Sequence, residues 1–325
     1  MNFARALAAS FLAACLLAGN AAWSQTYPNR PITLIVPFPP GGATDTIARV
    51  IQDAMARSLG QPIVVENVGG AGGMIAAARA ARATPDGYTI LIHQVALAAG
   101  MSLYKDLSFD AVKDFTSIGP INTAASTLAA RESLPANNFA EFLKWTKEPG
   151  HNIKIGHAGV GSYAHLAGVL AAQELGLNAT QVAYRGAGPA LVDLLSGQVD
   201  IESQSAVVAG ALVKSGKLKA YAIFGRKRYS GLPDLPTMGE LGYKKLDIDF
   251  WDTLLAPAGT PRPIIDKLNG ALRAALVDAR VVKTFTEGGM DIYATEDQTP
   301  EYADALLKRE IKLWGEVVRA NHIAM

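Results

Sequence analysis

Several strand-to-helix turns in this sequence combine glycines with a helix start, and such turns can bind anions. The stretch "VPFPPGGATDTIARV", residues 36–50, ends the apolar run Ile32-Thr33-Leu34-Ile35-Val36 at a stiff corner and opens a helix at Ala43-Thr44-Asp45. Gly41 and Gly42 carry no side chain, so a ligand can approach their backbone closely, and Gly42 is expected at a backbone angle that only glycine tolerates. The amides of the first helical turn lack partners within the helix, and together with the helix dipole they favour an anion. Pro39 and Pro40 stiffen the corner and donate no hydrogen bonds. A plain turn capped by Thr44 or Asp45 fits the same residues. Phe38, Pro39, Gly41, Gly42, Ala43 and Thr44 are the candidate binding residues of this turn.

Gly159-Val160-Gly161-Ser162 repeats the arrangement, with Ser162 placed to cap a helix and to offer its hydroxyl to a ligand. Ser162 and His165 would suit a hydrolase, but the segment is not G-x-S-x-G and no acid partner is identified, so a packed or capping histidine is the simpler reading. Tyr184-Arg185-Gly186-Ala187-Gly188 forms a third such loop. There Tyr184 lines a cleft or a core, and Arg185 pairs a carboxylate or faces solvent. His93 and Gln94 follow an apolar strand and fall at its carboxyl edge, facing either a ligand or water. The glycine-rich segment 69–73 is neither a G-x-G-x-x-G fingerprint nor a phosphate loop, and no His and carboxylate spacing fits a metal. No cofactor and no metal are expected.

These loops need elements to position them. Ile47, Val50, Ile51, Ala54, Met55 and Leu59 repeat with helical spacing until Gly60. Strands at 62–65 and 88–92, with an alanine-rich helix at 74–83 between them, complete a β-α-β-α-β run, which predicts a parallel sheet. After residue 150 the alternation restarts, with strands at 153–155, 181–184, 199–201 and 218–224 and helices at 163–174, 189–195 and 206–214. The extended stretches 117–130 and 246–257 each carry the chain across. One domain is therefore expected from 25–123 plus 248–325 and another from 124–247, an α/β architecture with a hinge of two crossing strands. Helices near 262–278 and 300–319 should pack on the first domain, the last through Tyr302, Leu306, Leu307, Ile311, Trp314 and Val318. Ligands in such sheets sit beyond the carboxyl ends of the strands.

Bulk properties narrow the class. Residues 1–24 read as a secretory signal peptide, with Ala22-Trp23-Ser24 before the cut. Leu12-Ala13-Ala14-Cys15 also resembles a lipoprotein box, the less favoured alternative. Cys15 is the only cysteine, so a chain starting at Gln25 relies on its apolar core rather than on disulfides. Losing Arg5 leaves 29 of 30 Lys+Arg against 29 Asp+Glu, a net charge of zero. That balance gives no footing for nucleic acid or for a charged membrane surface.

Taken together, the segments "YPNRPITLIVPFPPGGATDTIAR", "GQPIVVENVGGAGG", "PDGYTIL", "GHAGVGSYAHLAG", "YRGAGPALVDLLSGQVD", "SGKLKAYAI", "LPDLPTMGELGY" and "LLAPAGTP" resemble the substrate-binding proteins of tripartite tricarboxylate transporters, the Bug proteins. The resemblance implies a two-domain periplasmic-binding-protein (Venus flytrap) fold, a periplasmic location and capture of a small carboxylate. It also implies that the loops at 38–45 and 159–162 close on that carboxylate, often through water, and that permease subunits receive it. The chain departs from the family where ligand choice would be set. Glu202-Ser203-Gln204 replaces "MFD", "ENVGGAGG" replaces "ENRPGAGG", and Phe250-Trp251-Asp252-Thr253-Leu254-Leu255 stands where "SWFGLL" is usual. Gln204 could donate to a second ligand carboxylate that an Asp would repel. The expected site comprises the first-turn residues above with His93, Gly159, Gly161, Ser162, His165, Tyr184, Gly186 and Gln204. The expected protein is a monomeric, non-enzymatic solute-binding protein. A periplasmic sensor is the alternative and a hydrolase the remote one.

Overall fold

A computed structural model describes residues 27–323. The signal-peptide and lipoprotein readings, including Cys15, lie outside the described residues. β1 (Ile32–Val36) leads through the Pro-Gly corner into α1 (Ala43–Leu59). Gly60, left-handed at φ 68, closes that helix by donating its N–H to the Ala56 carbonyl. β2 (Ile63–Asn67), a short 3₁₀ turn at Ala71–Gly73, α2 (Met74–Ala81) and β3 (Thr89–Gln94) follow in the expected order. α3 (Val95–Leu103) then starts directly from the end of β3. Sequence periodicity does not reveal α3 because it is apolar all round and nearly wholly buried.

β4 (Phe115–Ala124) runs into β5 (Ser126–Arg131) with only Ala125 between them. The second unit contains α4 (Phe139–Thr146), β6 (Ile153–His157), α5 (Tyr163–Leu175), β7 (Ala179–Ala183), α6 (Ala187–Ser196), β8 (Ile201–Ser205), α7 (Ala206–Lys214) and β9 (Leu218–Phe224). The chain returns through β10 (Phe250–Pro257) to α8 (Arg262–Leu276), α9 (Ala279–Glu287), β11 (Met290–Ile292) and α10 (Pro300–Ala320). The helix expected at 262–278 stops at Leu276, because the Asp278 carboxylate accepts from Arg280 and Val281 N–H and starts α9.

The strands form two sheets, ordered β11-β4-β10-β3-β1-β2 and β7-β6-β8-β5-β9. β1, β2 and β3 are parallel as expected, and so are β6, β7 and β8. The purely parallel expectation needs correction at the crossings. β10 is antiparallel to both β3 and β4, and β5 is antiparallel to β8 and β9. A chain that leaves one sheet and returns to it must lay its return strand against the outgoing direction.

One apolar cluster fills the first sheet's face toward α1, α8 and α9, with Ile51, Ile90, Leu254 and Leu272 at its centre. The opposite face joins a second cluster that continues into the other sheet, from Leu91 and Leu255 through Trp251, Trp314 and Phe224 to Ile155 and Ile201. α10 packs on α3 and β4 and also reaches α5. Of its predicted stripe, Leu306, Leu307, Trp314 and Val318 are buried, while Tyr302 and Ile311 are half-buried.

Tyr163, the first residue of α5, ties the two crossings together. Its buried hydroxyl donates to the Ile248 carbonyl at 3.0 Å and accepts from Ser126 Oγ at 3.0 Å. Ser203 Oγ donates to the same serine at 3.1 Å, and the Ala206 N–H reaches the Ala125 carbonyl at 3.0 Å. The Tyr163 ring also meets Phe250 edge-on, with centroids 5.9 Å apart. Tyr163→Phe strips a partner from two buried oxygens and is expected to cost about 1–3 kcal/mol. Urea denaturation reads this directly, and an unchanged midpoint would show that the hydroxyl does not hold the crossing.

Candidate functional site

At the carboxyl edge of the first sheet, the Phe38–Ala43 turn stands out from the surface and Thr44 and Asp45 are buried beneath it. Gly42 precedes α1 without any side-chain cap. Its φ of −78° and ψ of 171° are extended backbone that any residue adopts, so the expected glycine-only angle is not at Gly42. That requirement belongs to Gly41, at φ +87°. The Gly41 N–H donates to Asp45 Oδ2 at 2.9 Å, as does Arg49 Nε. Asn67 Nδ2 bridges Asp45 Oδ1 and the Phe38 carbonyl. Burial pushes the Asp45 carboxyl up, but Arg49, Gly41 and Asn67 outweigh it and hold the group below its ordinary range. Asp45 therefore braces the turn from behind, and the first-turn amides of Ala43 and Thr44 lie ahead of it.

Below Thr44 lies a feature that spacing alone did not single out. Thr44 Oγ1 donates to Asp252 Oδ1 at 3.2 Å, and Asp252 is completely buried. Asp252 Oδ2 has no partner, and neither side-chain polar atom of buried Asn122 has one. Strand register sets Gln94, Asp252 and Asn122 in a row across β3, β10 and β4. Burial raises the Asp252 carboxyl to about 7, with the Thr44 hydroxyl and the neighbouring Asn122 amide pulling the other way. The available signal in the sequence was a carboxylate inside the mostly apolar run 250–257.

His93 lies at this edge but is fully buried. Its Nδ1 accepts from Gln94 N–H at 2.9 Å, which leaves Nε2–H for the Gly73 carbonyl at 3.4 Å. Burial lowers this imidazole to about 4, so it is neutral at pH 7. Its ring meets Phe38 edge-on at 6.1 Å. A side chain at Gly73 would collide with His93 and Pro37, so the glycine-rich 69–73 loop is a packing device for this corner. Gln94 Oε1 caps α3 through Ala96 N–H.

At the second sheet, two histidines hold the Gly159–Ser162 loop. His157 Nδ1 accepts from Gly159 N–H and His165 Nδ1 from Gly161 N–H, each at 3.2 Å. The rings lie 4.4 Å apart, and burial lowers both imidazoles, His165 to about 4. Gly159 and Gly161 need their glycine angles, φ +114° and +80°. Ser162 Oγ accepts from the His165 backbone N–H at 3.2 Å, so it caps α5 as expected. A Cβ on Gly161 would come within 3.1 Å of Leu103, so this loop approaches α3 of the first sheet.

Tyr184 lies behind Gly159, and its hydroxyl donates to Asp193 Oδ2 at 2.6 Å. That bond anchors α6. Gly186, at φ +133°, starts α6 without a side-chain cap. Gln204 is buried on β8, where its Oε1 accepts from Ser205 N–H. The structure thus gathers Phe38, Thr44 and His93 with Asp252 at one edge, and Gly159, Gly161, Ser162 and His165 at the other. Among the described residues, no group of three His, Cys, Asp or Glu could hold a metal ion, and no helix is long and apolar enough to cross a membrane.

Residues 47–323 match the tripartite tricarboxylate transporter family receptor. The chain belongs to this family of solute-binding proteins, which have the two-domain Venus flytrap fold. It is similar to the periplasmic binding protein BugD, at 37% identity and TM-score 0.77 over 92% of this chain and 100% of that one. MatC from Rhodopseudomonas palustris with bound malate is 38% identical, with TM-score 0.77 over 90% of this chain and 100% of MatC. A further R. palustris protein with adipate is 30% identical, with TM-score 0.78 over 92% of this chain and 100% of that one.

The two glycines of the turn should separate by mutation. Gly41→Ala forces a side chain into left-handed backbone and is expected to cost about 1–2 kcal/mol. Gly42→Ala places a Cβ 3.7 Å from the Pro39 carbonyl oxygen, an ordinary contact. It should stay within about 0.5 kcal/mol of wild type in urea denaturation. Equal losses at the two positions would contradict this reading of the turn.

Proposed function

We propose that this chain is a periplasmic solute-binding protein that captures a small carboxylate for the permease subunits of a tripartite tricarboxylate-type transporter. The observation that carries the reading is the uncapped N-terminus of α1, a 17-residue helix whose first turn emerges at the exposed Pro-Gly corner. Such a terminus suits an anion, through unpaired amides and the helix dipole. Relatives with malate and with adipate support the ligand class.

In this reading the two domains are 25–123 with 248–325, and 124–247, with residues 1–24 removed as a signal peptide. They close as a monomer about Ala125 and the return segment before β10, a hinge motion. Ala43 and Thr44 amides, with Phe38, Pro39, Gly41, Gly42 and His93 around them, receive the carboxylate from one side. Ser162 and the α5 start, between the histidine-held glycines Gly159 and Gly161, receive it from the other. His165, Tyr184, Gly186 and Gln204 shape the second wall. Binding needs no metal.

A thermal-shift screen over mono-, di- and tricarboxylates tests the reading. A ligand present at 100 times its Kd stabilises by about 2.7 kcal/mol. Malate- or adipate-like acids should therefore raise the melting temperature by several degrees, while sugars and cationic amines leave it unchanged. Gly42→Val, which fills the approach to the amides, should remove the shift yet still fold. A melting temperature unmoved by every carboxylate would contradict the proposal.

A further inference from the structure

The buried polar group under the α1 terminus has an electrostatic consequence. An ionised Asp252 beside Thr44 answers the positive end of the helix from inside the protein, where the terminus acts as roughly half a charge. A ligand carboxylate arriving at the same turn then meets a like charge. A neutral Asp252 leaves the helix field to the ligand. It can also donate its own proton to Thr44 Oγ1, which frees the Thr44 hydroxyl proton to turn toward the ligand.

We propose that Asp252 is a proton-linked gate on anion capture at the start of α1: its acid form admits the ligand carboxylate, its ionised form opposes it, and binding draws one proton from solvent onto Asp252. This rests on the carboxylate reading above and deepens it. Asp252 is a positioning residue, because Thr44 separates it from the surface. The geometry points to a group left ready for a change of state: Oδ2 of the fully buried Asp252 has no well-formed partner, and the amide of Asn122, its cross-strand neighbour, stands near enough to favour the ionised carboxylate without completing a hydrogen bond to it.

The ionisable groups on the elements packed against Asp252 do not substitute for it. On α1, Asp45 is committed to Gly41, Arg49 and Asn67. On β3, His93 is neutral and bound to Gly73 and Gln94. On α2, Arg79 is exposed and paired with Glu66. α3 and β4 contain no ionisable side chain. Linkage is reciprocal, so a ligand that raises the proton affinity of Asp252 must itself bind more tightly as pH falls.

Calorimetric titration with malate and with adipate, at pH 6, 7 and 8 and in two buffers of different ionisation enthalpy, tests the gate. The second carboxyl of malate or adipate titrates above the first, just below this range, but that ligand term is common to wild type and variant and cancels in their difference. With Asp252 at about 7, wild-type affinity should fall about ten-fold from pH 6 to pH 8, with about half a proton taken up per ligand at pH 7. Asp252→Asn should bind with a pH-flat affinity near the wild-type low-pH value and take up no proton through this site. Asp252→Leu provides the same comparison should the asparagine variant fail to fold. Glu202 and Asp249 are also raised by burial, to about 8 and about 6, so the wild-type-minus-variant difference carries the result. A variant that keeps the wild-type pH slope, or a wild type that binds with no slope, overturns the gate alone. Binding of neither anion at any pH overturns the carboxylate reading, and the gate with it.

Discussion

Parallel strands impose one constraint from which the rest of this architecture follows. Each parallel strand must hand over to a helix that begins at its carboxyl end. β1, β3, β6 and β8 all do so here, which collects the starts of α1, α3, α5 and α7 along the two sheet edges. Every helix start leaves amides that need a partner. Side chains supply one at α3, through Gln94, and at α5, through Ser162. Gly42 supplies none at α1.

The crossings couple this edge to the hinge. Ser162 caps α5 and Tyr163, the next residue, bonds the return crossing at Ile248 and the outgoing one at Ser126. A contact at the α5 start is thus one residue away from both strands about which the halves would turn. The continuous apolar cluster through Trp251, Trp314 and Phe224 packs behind that joint.

Much of this was legible in the sequence, because glycine, proline and helical spacing are local signals. The turn at 38–45, the loop at 159–162, the two-unit alternation and both crossing stretches follow from them. What escaped depends on tertiary contact. α3 has no polar face to mark its period, since both of its sides are buried. The roles of His157 and His165 as acceptors for glycine amides need the loop already folded. Gly41 and Gly42 are adjacent and chemically identical, and only the backbone angle tells them apart. Asp252 was visible as a departure in the 250–255 stretch, but its meeting with Thr44 joins residues 208 positions apart.

An anionic carboxylate, held by helix-start amides rather than by a metal, is the ligand we propose for this protein. Calorimetry of malate and adipate against their methyl esters, with and without chelator, tests it most directly. Esterifying the held carboxylate should weaken binding by about 1.5–3 kcal/mol, the range for a lost charged hydrogen bond, and chelator should change nothing. An ester that binds as tightly as the free acid, or binding abolished by chelator, would contradict it.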